Sequence, residues 1–133
     1  MGTRATVKFY NEEPKENSIP LVNFYYQYDG DYDVIGKQLA DWLKSKSVIN
    51  GIQHQTMADG FANGVSCLAA QFCKGKKNKI GHFYINTLTN VEYYDYKVWV
   101  DFNTNVIYMS IHEFIGEPKE FDAFIKLEID KED

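Results

Sequence analysis

The chain has 133 residues, a formal net charge of -5 and two cysteines. That length suits one domain, 1–133, able to bury about two-thirds of its unfolded surface without disulfides or metals. A single arginine, Arg4, and an acidic balance argue against polymeric nucleic acid as a partner, because duplex binding needs a phosphate-facing excess of cations.

No apolar run approaches the ~18 residues of a membrane span, and no leader pattern opens the chain, so a soluble, intracellular protein without a membrane partner is expected. Cys67 and Cys73 fall on one helical pattern, roughly 9 Å apart along its axis, too far for a disulfide. They read as reduced thiols. Ten Tyr, nine Phe and two Trp exceed what one small core needs. Some of these rings are expected to face a ligand or a partner, the role to which tyrosine is suited.

In chain order, Thr3 to Tyr10 alternates Ala5, Val7 and Phe9 with Arg4, Thr6 and Lys8, the pattern of a half-buried strand. A polar connector, 11–20, leads to a second strand over 19–28, expected to pair with the first as a hairpin. The run Asp29-Gly30-Asp31-Tyr32-Asp33 fails the calcium-loop spacing, since Val34 stands where Gly is required and Ala40 where the bidentate Glu is required. It reads as a turn, with Asp33 as N-cap of a helix to about Lys46 carrying Ile35, Leu39, Trp42 and Leu43 inward. Gly36 in the first turn implies close packing or ligand approach. After a turn at Asn50-Gly51, Thr56 and Asp59 have capping-box spacing.

The helix expected over Gly60–Lys74 places Phe61, Val65, Leu68, Ala69 and Phe72 on one stripe. Gly60 and Gly64 at its entrance fit either close packing or an anion at the helix N-terminus. The cluster Lys74, Lys76, Lys77 and Lys79 suits the negative end of that helix. A third strand follows over 80–87, a fourth over 92–102 and a fifth over 106–112, with a hairpin loop at 103–105. Pro118 near N1 and Glu120 in the first turn start a last helix that carries Phe121, Phe124 and Ile125 inward. The fold class is therefore α+β, a mostly antiparallel five-stranded sheet with helices packed on one face, in the order ββααβββα.

No catalytic constellation stands out. His54, His82 and His112 lack metal-ligand spacing with the cysteines, Cys67 sits mid-helix without a base, and no nucleophile elbow surrounds Ser66 or Ser110. What remains is a set of polar groups beside rings: Gln27, Tyr28, Asp29 and Tyr32; Phe61 and Asn63; His82 and Phe83. Amides, hydroxyls and ring faces of this kind suit the base and ribose of a nucleotide, and they suit a subunit interface equally well.

The segments G-T-R-A-T-V, Q-Y-D-G-x-Y-x-x-x-G-x-x-L, A-N-G-x-x-C-L-A-A-Q-F and G-x-F-Y-I together resemble the phage and prophage Thoeris anti-defence sponge family. The resemblance implies a non-enzymatic protein, needing no cofactor, that sequesters cyclic ADP-ribose signals made by TIR enzymes in the cytoplasm of the infected bacterial host. It also implies a homo-oligomer, a dimer or a hexamer, with pockets near subunit contacts and cyclic oligonucleotides as a second ligand class. Phe83 matches the family's pocket aromatic, and Asn90 is the nearest match to its pocket asparagine. Arg4 is the one arginine left for phosphate, a departure that leaves this role to lysines or helix N-termini. The alternatives are an inhibitor that binds a host protein through an acidic, aromatic surface, and a nucleotide-signal hydrolase.

Overall fold

The computed structural model describes residues 3–49, 60–77 and 81–131. The expected turn at Asn50-Gly51, the Thr56/Asp59 capping pair, His54 and Lys79 lie outside them. Within the described residues the chain is α+β, built on a six-stranded, mostly antiparallel sheet in the order β5-β2-β1-β6-β7-β8. Its strands are β1 (Ala5–Phe9), β2 (Val22–Tyr26), β5 (Tyr84–Ile85), β6 (Tyr94–Asp101), β7 (Val106–Ile111) and β8 (Phe114–Gly116). A separate parallel pair joins β3 (Ser47–Ile49) to β4 (Phe61–Asn63). Three α-helices lie among the described residues, α1 (Lys37–Lys44), α2 (Gly64–Lys76) and α3 (Phe121–Lys131).

The expected strand count and order are corrected. Besides the β3/β4 pair there is an added edge strand, β8, and the central contact is unlike a meander: β1 pairs antiparallel with β2 and parallel with β6. Three-residue strands such as β3, β4 and β8 are too short to show a period of two, so only their partners reveal them.

Strand register sorts the side chains into two faces. On one, Ala5, Val7 and Phe9 stand opposite Tyr26, Phe24 and Val22 of β2 and beside Tyr94, Tyr96 and Val98 of β6. Phe72 of α2 meets Phe9 and Phe24 on this face, each at 5.5 Å between ring centroids. Leu39 and Leu43 of α1, Val65 and Leu68 of α2, and Phe121 of α3 are buried with them in one core. On the other face, Asn23, Lys8, Lys97, Ser110 and Ile115 line up across five strands. The expectation that β1 is half-buried is corrected here, because Thr6, Lys8 and Tyr10 on this second face are also buried.

Segments between the strands cover part of that second face. Asn23 donates through Nδ2 to the carbonyls of Thr87 and Asn90, at 2.8 and 3.0 Å, which ties residues 87–90 over β2. Asp95 accepts from the Thr6 hydroxyl at 2.7 Å and from the Lys8 ammonium at 3.0 Å. A half-buried acceptor and a buried cation thereby satisfy one another.

Helix boundaries follow local chemistry. Gly64 has φ +82, so α2 begins there and Phe61 belongs to β4, not to the helix stripe. Before α1 lies one π-helical turn, Tyr32–Gly36, which places Asp33 inside a turn and not at an N-cap. A Cβ on Gly36 would lie 2.9 Å from the Phe121 ring and from Tyr96 Oη. Its reason is therefore packing. Glu117 and Glu120 cap each other around Pro118 at the start of the turn that leads into α3.

Candidate functional site

The end of β2, the π-helical turn and the residues entering β5 enclose a cleft of about 460 Å³, lined by Tyr26, Tyr28, Asp29, Val34, Ile35, Gln38, Gly81 and His82. Local backbone geometry holds its rim in place. Asp29 adopts a left-handed conformation, φ 65, and its carbonyl accepts from Ile35 N at 3.1 Å, which folds the π-helical turn back against the strand end. Gly30 packs so closely that a Cβ would fall 2.8 Å from that of Ala5 and 2.9 Å from the Arg4 carbonyl oxygen. Tyr96 Oη donates to the Gly30 carbonyl at 2.8 Å, a buried bond that fixes the turn to the core.

The chemistry of the lining is mixed. Tyr28 is 58% exposed and presents a ring. Tyr26 is buried, its ring 5.9 Å from His82 in an edge-to-face arrangement and 5.0 Å from Phe83. Burial, and next the nearby Cys73, raise the Tyr26 phenol well above its ordinary pKa, so it stays protonated. Asp29 and Gln38 add a carboxylate and an amide.

Tyr28 and Asp29, expected from sequence, meet in this cleft, with Gln27 beside them in the chain. Phe83 lies behind it, 3% exposed, its ring against Phe24, Phe72 and Tyr26. Lys77 closes the other side of Phe83, donating to its carbonyl at 2.7 Å with the ammonium 5.4 Å from the ring centroid. Asn90 lies over the opposite face of β2, where its carbonyl holds Asn23. Within one chain, β2 thus separates Phe83 from Asn90.

The remaining expected residues are dispersed. Arg4 is exposed, with its carbonyl against Gly30. The Phe61 carbonyl accepts from Gln71 at 2.9 Å, and Asn63 is exposed at the N-cap of α2. Tyr32 belongs to a second ring cluster, with centroids 5.2 Å from Tyr94, 5.6 Å from His112 and 5.2 Å from Phe124. There the Tyr93 carbonyl can only accept, so His112 carries its proton on Nε2 and donates it across 2.7 Å. Nδ1 then accepts from the Tyr32 hydroxyl. Burial, followed by Tyr94, pushes the Tyr32 phenol up to about 12.

Sequence reasoning missed Tyr26, Val34, Ile35 and Gln38 as cleft residues. Two signals were present: Tyr26 and Tyr28 share a face at period two, and Gln38 follows Val34 by one helical turn. Among the described residues, no group of three or more His, Cys, Asp or Glu could hold a metal ion, and no helix is long and apolar enough to cross a membrane. Compared with family models, curated proteins and solved structures, the chain matches none.

Proposed function

We propose that this chain binds a small nucleotide signal of the cyclic ADP-ribose type and holds it without cleaving it, with the cleft at the end of β2 as the receiving site. The observation that carries this reading is the convergence of Tyr28, Asp29, Gln38 and His82 on a cleft of about 460 Å³, a volume typical of small-ligand sites. Tyr28 supplies a ring for a base, while Asp29 and Gln38 supply acceptors and a donor for base edges or a ribose diol. Resemblance to the sponge family supports the ligand class and the absence of turnover, and it supports a homo-oligomer in the host cytoplasm. Asp29 repels phosphate, so the base or ribose end enters the cleft and the phosphates stay outside.

The test incubates the protein with cyclic ADP-ribose and its glycosidic isomers, separates bound from free, and releases the bound fraction by heat for mass analysis. Intact ligand recovered in proportion to protein supports sequestration. A changed product makes the protein an enzyme, and no retention at micromolar protein overturns the reading. Asp29→Asn, which keeps a side chain tolerant of the left-handed backbone, is expected to weaken retention by about tenfold through loss of a charged acceptor.

A further inference from the structure

The opposite face of the sheet carries a larger groove, about 570 Å³, between the connector after β1 and the β6–β7 hairpin. Its floor is the cross-strand pair Trp99 and Tyr108, stacked at 5.9 Å and 19°. Three carboxylates line it, Glu12, Glu13 and Asp101, against one ammonium, Lys15. None of these four joins an ion pair among the described residues. One oxygen of Asp101 accepts from Asn103 N at 2.9 Å, leaving the other for an incoming donor. Ile115, 67% exposed, continues the groove as an apolar margin.

We propose that this groove docks an arginine-bearing peptide segment of a partner protein. Charge complementarity selects a cation, since the lining is acidic by two charges and its acids join no ion pair among the described residues. Arginine fits better than lysine, because its planar fork pairs with a carboxylate in two bonds and its flat face stacks on a tyrosine. The aliphatic stem of such a side chain lies along rings and along Ile115 while its head reaches the carboxylates. An open groove with an apolar margin suits an extended backbone better than a compact ion. This docking is independent of the nucleotide cleft, which is built from the other face of β2.

The experiment measures fluorescence anisotropy of a fluorescein-labelled peptide of alternating arginine and glycine added to the whole protein at low salt. Saturable binding is expected, weakening as salt is raised. Glu12→Gln with Glu13→Gln, both on an exposed connector, is expected to weaken it by about tenfold. Tyr108→Ala, with its fold checked by circular dichroism, is expected to weaken it by about threefold or more. The control is Asp33→Asn with Glu113→Gln, an equal charge change elsewhere, expected to leave binding unchanged. Absence of binding overturns the proposal, as does an equal loss in the control, which means attraction to net charge alone. Displacement of the peptide by spermidine at equal charge concentration also overturns it, in favour of a small-polycation site.

Discussion

The two faces of the central sheet bury residues by different means. Under the helices, Phe9, Phe24, Phe72 and Phe83 interlock ring against ring, with aliphatic side chains filling between them. Under the connecting segments, Lys8, Asp95, Thr6 and Asn23 are held by an ion pair and hydrogen bonds, and Asn23 Oδ1 has no hydrogen-bond partner among the described residues. The first face gains stability from area and shape; the second depends on matched polar partners. Losing an atom on the first face therefore leaves a void, whereas losing one on the second strands a charge or a polar group.

The largest expected effect tests the helix-covered face. Phe83→Ala removes a ring packed against Phe24, Tyr26, Phe72 and His82 and is expected to cost about 3–5 kcal/mol in urea unfolding. A loss below about 1 kcal/mol would mean that the ring is not in the core, and would return Phe83 to the pocket role implied by resemblance. Next, on the polar face, Lys8→Met leaves the half-buried Asp95 without its cation and is expected to cost about 2 kcal/mol, with most of it recovered in the double variant with Asp95→Leu. If the double variant is no better than the single one, the ion pair is not what organises that face. Gly36→Ala sharpens the shape argument: its methyl meets Phe121 and Tyr96, and a loss of about 1–3 kcal/mol is expected.

The smallest effect lies outside both faces. Asp122 is bridged by Lys44 at 2.8 Å and Lys37 at 3.3 Å, and hydrogen bonding from Lys44 is the main cause that lowers its pKa. A lowered carboxylate pKa gives stability that is present above the unfolded value and lost as pH falls through the folded one. With its side chain 48% exposed, solvent screening keeps the effect of Asp122→Asn below about 0.5 kcal/mol at neutral pH. Unfolding curves of the two proteins are expected to converge in acid, below the folded pKa of Asp122.

Much of the architecture was legible in the sequence where a pattern repeats. Alternation in 94–101 marks β6, with Tyr96, Val98 and Val100 buried on the predicted face. The stripe Val65, Leu68, Ala69 and Phe72 marks α2, and the Glu117–Pro118–Glu120 signal marks the entry to α3. What escaped was set by contacts distant in sequence. Trp99 shares the polar side of β6 yet is buried, because its neighbours there are Tyr108 across the strands and the connector residues around the groove. For the candidate site, Tyr28 and Asp29 were legible as ring and acid beside a turn. The separation of Phe83 from Asn90 was not, because a two-residue strand leaves no periodic trace of which face its flanks approach.

The parallel contact between β1 and β6 joins Ala5 to Tyr94 and Phe9 to Val98, residues about two-thirds of the chain length apart. As the chain emerges during synthesis, β1 can pair with β2 at once, but its other edge has no neighbour until β6 has left the ribosome. Until then an apolar strand edge, Ala5-Thr6-Val7-Lys8-Phe9, is open to unwanted pairing. Closing the sheet also requires a large loop to close first, which slows the final step. The order of translation therefore leaves the outer edge of β1 unpaired until β6 emerges, and makes that interval the most exposed to aggregation.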